Sequence, residues 1–171
     1  SLPSQIYLGL TGKRYQVEYQ HVSRPSLVEI HNRLRLSHAQ RQQAIKLLRG
    51  WIRKQARERL PKMLAELAAR HGFNYTKCTV RSQKTRWGSC SSSGTISLND
   101  QLLFLPPASV EYLMLHELCH TKHMNHSPSF WELVAQYEPD FQRMETSLNE
   151  QRKKIPDWFL QSLYQKDRDV T

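Results

Sequence analysis

Three cysteines, six glycines and eight prolines are few for a chain of 171 residues. Cys78, Cys90 and Cys119 are odd in number and stand 12 and 29 residues apart. They match neither a disulfide framework nor a cysteine zinc knuckle, and they read as reduced thiols. The small Gly and Pro share excludes collagen-like and low-complexity classes. A hydrophobic fraction of 39% excludes a disordered chain. No apolar run approaches the roughly 18 residues of a membrane helix, so no membrane partner is expected. Ser1-Leu2-Pro3-Ser4 lacks the charged-then-apolar order of a secretory signal, and a cytoplasmic location is expected. The length suits a single domain over 1–171 with a real core.

Acidic residues are also scarce, and unevenly so. Residues 1–86 carry 18 Lys+Arg against 4 Asp+Glu, whereas residues 87–171 carry 7 against 11. The net charge of +10 is therefore a +14 half joined to a −4 half. Such asymmetry suits a polyanionic partner or an acidic substrate, and equally a solvated basic face.

The pattern predicts an α+β fold. Ile6-Tyr7-Leu8, Tyr15–Tyr19 and Leu27–Ile30 form a meander of two or three strands. Ser37 is the expected N-cap of a long basic helix whose apolar face runs from Ala44 to Ala68 and which stops at His71-Gly72. Pro61 is expected to kink or split it. Residues 1–73 thus hold strands and basic helix. Residues 74–171 hold a hairpin and a helical metal-binding part. In that hairpin, Tyr75–Arg81 and Gly94–Leu98 flank an elaborated tip containing Arg86-Trp87-Gly88-Ser89-Cys90. A helix should run from Pro107 to about His123, another from Pro128 with Ser127 as N-cap, a third through Phe141 and Leu148, and a last from Pro156 to about Lys166.

His116-Glu117-Leu118-Cys119-His120 is an HExxH motif within the first of these helices. A spacing of four puts both imidazoles on one face, where they can bind one metal ion. Glu117 is rotated by about 100° and flanks the metal as a general base. A single zinc ion there lowers the pKa of water toward about 7, and Glu117 takes its proton. The helix is apolar nearly all round, so two His and a Glu inside it would cost several kcal/mol without such a partner.

A catalytic zinc calls for a third protein ligand. His126, His123, Glu132 and Glu138 are candidates. His126 is favoured, because six residues from His120 is the interval in HExxHxxGxxH metalloproteases. His123 takes the Gly position of that pattern, and Asn125 is expected to supply the left-handed residue that turns the chain. His123 would share the metal face if the helix continued.

These motifs, with Asn125-His126-Ser127-Pro128-Ser129-Phe130-Trp131, Arg86–Cys90 and Ile96-Ser97-Leu98-Asn99, resemble the YgjP-like metallopeptidase family, related to SprT-like zincins. The resemblance covers nearly the whole chain. It implies a zincin-like, zinc-dependent hydrolase with ligands His116, His120 and His126 and base Glu117. It also suggests an edge strand at 94–98 that pairs with an extended peptide.

Arg86 suits an oxyanion or phosphate contact, or a carboxylate that anchors its loop. Gly88 reads as a backbone conformation other residues resist. Tyr112, one turn before His116, either reaches the metal or substrate or packs in the core. Cys90 and Cys119 read as small buried hydrophobes. The expected substrate is a peptide or protein. A zinc-dependent nucleotide phosphohydrolase of nucleoside triphosphate pyrophosphatase type is the alternative, although no acidic second-metal cluster is evident. A non-catalytic nucleic-acid binder using the basic helix is a third.

Overall fold

The computed structural model describes residues 1–165. Alternation of polar and apolar residues builds a first sheet from β1 (Gln5–Leu8), β2 (Lys13–His21), β3 (Ser26–Ile30) and β4 (Arg33–His38). Its order is β1-β2-β4-β3, with β2 parallel to β4 and the other pairs antiparallel. The expected meander is therefore corrected to four strands out of sequence order. The reason lies in Arg33-Leu34-Arg35-Leu36. Both leucines are completely buried, whereas β3 leaves Val28 and Ile30 half in solvent. The strand with more apolar surface to bury takes the interior place.

The inward side chains Ile6, Leu8, Tyr15, Val17, Leu34 and Leu36 pack on α1 (Arg41–His71). Tyr15 meets Trp51 edge-on at 4.8 Å. This helix does not begin after Ser37, which belongs to β4 and pairs with Ser26. Gln40 is the N-cap, and Gln43 Oε1 accepts from the Ala39 and Gln40 amides. Pro61 does not split the helix. It removes the bond to the Arg57 carbonyl, and because Arg57 is exposed, solvent can take that place. Gly72 ends the helix at φ 76°, with its amide bonded to the Ala68 carbonyl. Several of the helix's cations are used inside the molecule. Arg53 donates to Ser82, Arg49 to the Ser162 carbonyl, and Arg70 pairs with Glu111.

The second sheet contains β5 (Lys77–Arg81), β6 (Gly88–Cys90) and β7 (Thr95–Asn99), in the order β5-β7-β6. The hairpin is β6–β7, turning at Gly94. β5 lies parallel to β7 on its other side. Residues 94–98 are thus central rather than an edge, and β6 is the edge strand next to α2. The turn Asp100–Phe104 then buries Leu102, Leu103 and Phe104 and leads to Pro107, where α2 (Pro107–Cys119) opens.

α2 ends four residues before the expected His123. Thr121, Lys122 and His123 amides bond back to Leu118 and Cys119 carbonyls as the chain turns away. Asn125 is not left-handed; His31 is the one non-glycine residue with positive φ among those described. α3 (Pro128–Tyr137) starts as expected, with Ser127 Oγ accepting from the Phe130 amide at 3.3 Å. α4 (Phe141–Gln151) and α5 (Asp157–Gln165) complete the layer. Lys166 lies outside the described residues. Among those described, no helix is long and apolar enough to cross a membrane.

Two glycines of the long helix make opposite predictions. Gly72→Ala should cost about 1–2 kcal/mol, since its left-handed backbone disfavours a Cβ. Gly50 is helical with open space around its Cβ position, so Gly50→Ala should stabilise by about 0.5–1 kcal/mol. Thermal melts should move by about 2–4 °C per kcal/mol, down in the first variant and up in the second.

Candidate metal and catalytic site

α2 carries His116, and its C-cap His120 one turn on, to the face that meets α3 and α4, while Glu117 lies toward β6. His126 arrives from the turn between α2 and α3. It directly precedes the N-cap Ser127, so the start of α3 positions it. The ligand-capable atoms of His116, His120 and His126 all lie within 4.8 Å of one another. His116 Nε2 and His126 Nε2 are 3.3 Å apart. Two nitrogens bound about 2.0–2.1 Å from one tetrahedral ion would stand about 3.3–3.4 Å apart, so the spacing fits a zinc-sized site.

The far side of each α2 imidazole is held. His120 Nδ1 lies 3.0 Å from the His123 carbonyl, which can only accept, so Nδ1 carries the proton and Nε2 presents its lone pair. His116 Nδ1 lies 2.7 Å from Glu145 Oε1, which orients it in the same sense. Burial holds His120 below the usual imidazole range. Aromatic rings fix the remaining freedom. His120 stacks on buried Phe130 at 4.3 Å and 17°, and His126 on Trp131 at 5.6 Å and 20°.

Glu145 was not anticipated from the sequence. Burial pushes its carboxyl up, but hydrogen bonds from His116 and Tyr112 outweigh that and leave it below the ordinary value. A signal for it existed. Glu145 lies four residues after Phe141 and three before Leu148, on the apolar face of α4. A carboxylate on such a face needs a partner.

Tyr112 is buried, and its hydroxyl donates to Glu145. It does not line the open cleft, so the expectation of direct substrate contact is corrected: Tyr112 reaches the site through Glu145. His123 offers the cluster its carbonyl, not its ring. Glu132 and Glu138 stand outside the group of three. Cys119 is fully buried and its thiol is pushed up to about 12. Cys90 differs from the reading as a buried hydrophobe, since it is only half-buried and lines the cleft.

The cleft has a volume of about 470 Å³ and includes the three histidines, Glu117 and the strand Gly88–Cys90. Glu117 is 5% exposed. Burial pushes its carboxyl up to about 7, with Glu145 adding to the shift and His116 and Arg86 opposing it. Gly88 is not left-handed, contrary to its reading as a special conformation. Its role is close approach. A Cβ there would sit 3.0 Å from the Ser97 carbonyl oxygen and 3.3 Å from Glu117 Cγ. The Trp87 carbonyl accepts from the Asn99 amide and the Ser91 amide donates to Thr95. By alternation along an antiparallel pair, Gly88 and Cys90 turn their backbone polar groups away from β7, toward the open edge.

The chain matches the family model described as YgjP-like, metallopeptidase domain, over residues 2–151. That match spans most of the chain, which belongs to this family of metallopeptidase-type, metal-dependent hydrolases. Two solved structures are similar. One is the metallopeptidase zymogen of Pyrococcus abyssi abylysin, at 26% identity and a TM-score of 0.47, covering 55% of this chain and 93% of that one. The other is the metallopeptidase zymogen of Methanocaldococcus jannaschii jannalysin, at 20% identity and a TM-score of 0.47, covering 54% and 95%. No curated protein matches the chain.

The wall opposite α2 depends on Asn99, which is 2% exposed. Its Nδ2 donates to the Gln83 and Arg86 carbonyls at 2.9 and 2.7 Å, and its Oδ1 accepts from the Gln101 amide at 3.1 Å. Asn99→Ala leaves these groups unmatched and should cost about 2–3 kcal/mol in urea unfolding. It should also expose the 82–87 segment to trypsin at Lys84 and Arg86 under native conditions. Unchanged cleavage would show that the segment is held by something else.

Proposed function

We propose that the protein is a zinc metallopeptidase in which His116, His120 and His126 hold one ion and Glu117 is the general base. The observation that carries this reading is the convergence of three imidazoles beside a buried carboxylate on one wall of an open cleft. Three nitrogen ligands suit zinc and leave one coordination position open for chemistry. When bound, the ion polarises the scissile carbonyl and makes water acidic enough to be deprotonated near neutral pH.

The rest is done by the chain's own groups. An extended peptide lies along β6, using the outward backbone groups of Gly88 and Cys90 as a strand partner. Glu117 Oε takes a proton from the attacking water and passes it to the leaving amine nitrogen. Its burial favours a base that shares a proton near neutrality. Glu145 and the His123 carbonyl keep His116 and His120 turned with Nε2 inward. Tyr112 holds Glu145. Buried apolar residues from Ile6 to Leu163 form one hydrophobic cluster, and the strands and α1 of the N-terminal part serve as the platform for the site.

Elemental analysis should find one divalent cation per chain. Removal by a strong chelator should abolish cleavage of a casein-like peptide, and zinc should restore it. Glu117→Gln should keep the metal and lose at least about a thousandfold in kcat. His126→Ala should lose the metal. Turnover of nucleoside triphosphates but not peptide would replace this reading with phosphohydrolysis. Stoichiometric zinc in His126→Ala would overturn the ligand set.

Glu145→Gln keeps the shape of the partner and removes its charge. Zinc affinity, measured by competition with a chromophoric chelator, should fall about 10–100-fold. Tyr112→Phe should weaken it less, because it acts one bond further away.

A further inference from the structure

The mouth of the cleft carries two arginines. Arg86 precedes β6, and Arg152 follows α4. Both are exposed and both line the cleft. They are tied together through the loop that bears Arg86. Arg152 donates from its guanidinium to the Thr85 carbonyl and lies over the Trp87 ring at 5.0 Å, so it is anchored on both chain neighbours of Arg86.

The lining contains two carboxylates, and both are already engaged. Glu117 is buried on the floor, and Glu145 is held by His116 and Tyr112. Among the described residues, neither arginine forms an ion pair with a carboxylate. The rim is therefore cationic, with one arginine from each half of the chain. Two exposed guanidinium groups on one rim, neither paired with a carboxylate, attract an anion that enters the cleft. Guanidinium donors match a carboxylate in two-point geometry, and the anchoring of Arg152 lowers the entropy that such a contact loses.

We propose that Arg86 and Arg152 form a carboxylate-recognition subsite that makes this enzyme selective for peptides bearing a negative group near the scissile bond. This deepens the metallopeptidase reading and rests on it. The carboxylate comes from an acidic side chain or from the substrate's own C-terminus, and the two sources can be separated.

The test uses the full chain loaded with zinc and three sets of fluorogenic peptides on one neutral sequence. One set is amidated and neutral. The second is amidated, with a single Glu moved through successive positions. The third is neutral with a free C-terminus at varied distance. At least one Glu position or free-carboxylate length should raise kcat/KM about tenfold or more over the neutral peptide, chiefly through KM. A Glu preference assigns an acidic side chain, and a free-terminus preference assigns a carboxypeptidase-like mode. The preference should collapse in Arg152→Met and in Arg86→Met, and Arg152→Glu should favour Lys over Glu. It should also shrink in the unmodified chain at 0.5 M salt, which keeps the test valid should a variant not fold. Equal cleavage of all three sets overturns the subsite and leaves the peptidase reading intact, as does a preference that survives both Met variants. Failure to cleave any peptide while hydrolysing a nucleoside triphosphate overturns both.

Discussion

Two imidazole nitrogens, His116 Nε2 and His126 Nε2, stand 3.3 Å apart, a spacing that a shared proton or a single metal ion can bridge. Much of the C-terminal half can be understood as the means of holding that arrangement. The pitch of α2 sets His116 and His120 one turn apart. The N-cap of α3 places His126. Phe130 stacks on His120 and meets Trp131 edge-on, and Trp131 lies between His126 and Phe141, stacked on both. Glu145 and a turn carbonyl take the outer nitrogens. A buried charge or dipole that lacks a partner is costly, and here the outer nitrogens of His116 and His120 each have one.

The N-terminal half contributes by position rather than chemistry. Its sheet and α1 bury a continuous apolar layer, and α1 reaches the second sheet through polar ties. Asp100, 1% exposed, accepts from Ser82, which also accepts from Arg53. Burial pushes the Asp100 carboxyl up, and the arginines oppose that shift. These contacts fix the crossover from β5 toward β6. Asn99 pins the same segment from the other side. The wall that carries Arg86, Gly88 and Cys90 is thus set by side chains outside the cleft.

Much of the site was legible in the sequence because its signals are local. HExxH works through helical periodicity, and Ser127-Pro128 through capping, so His116, Glu117, His120 and His126 could be named from the chain alone. The position of Glu145 depends on where α4 packs, and no short-range rule brings residue 145 to residue 116. The strand at Arg33–His38 was visible as polar–apolar alternation, but the apolar helical pattern following it masked the boundary. Ser37 looked like a cap because caps and strand ends favour the same small polar residues.

Sequence by itself determined the α+β class, the basic long helix, the pair of imidazoles one turn apart and the carboxylate between them, since each follows from spacing along a single element. Tertiary structure alone decided that β6 rather than β7 is the edge strand at the cleft, that Tyr112 reaches the cluster through Glu145, and that Arg86 and Arg152 share one rim. These depend on how separate elements pack. Packing is settled by the total apolar surface buried and the polar groups satisfied across the whole chain, quantities that no local segment encodes.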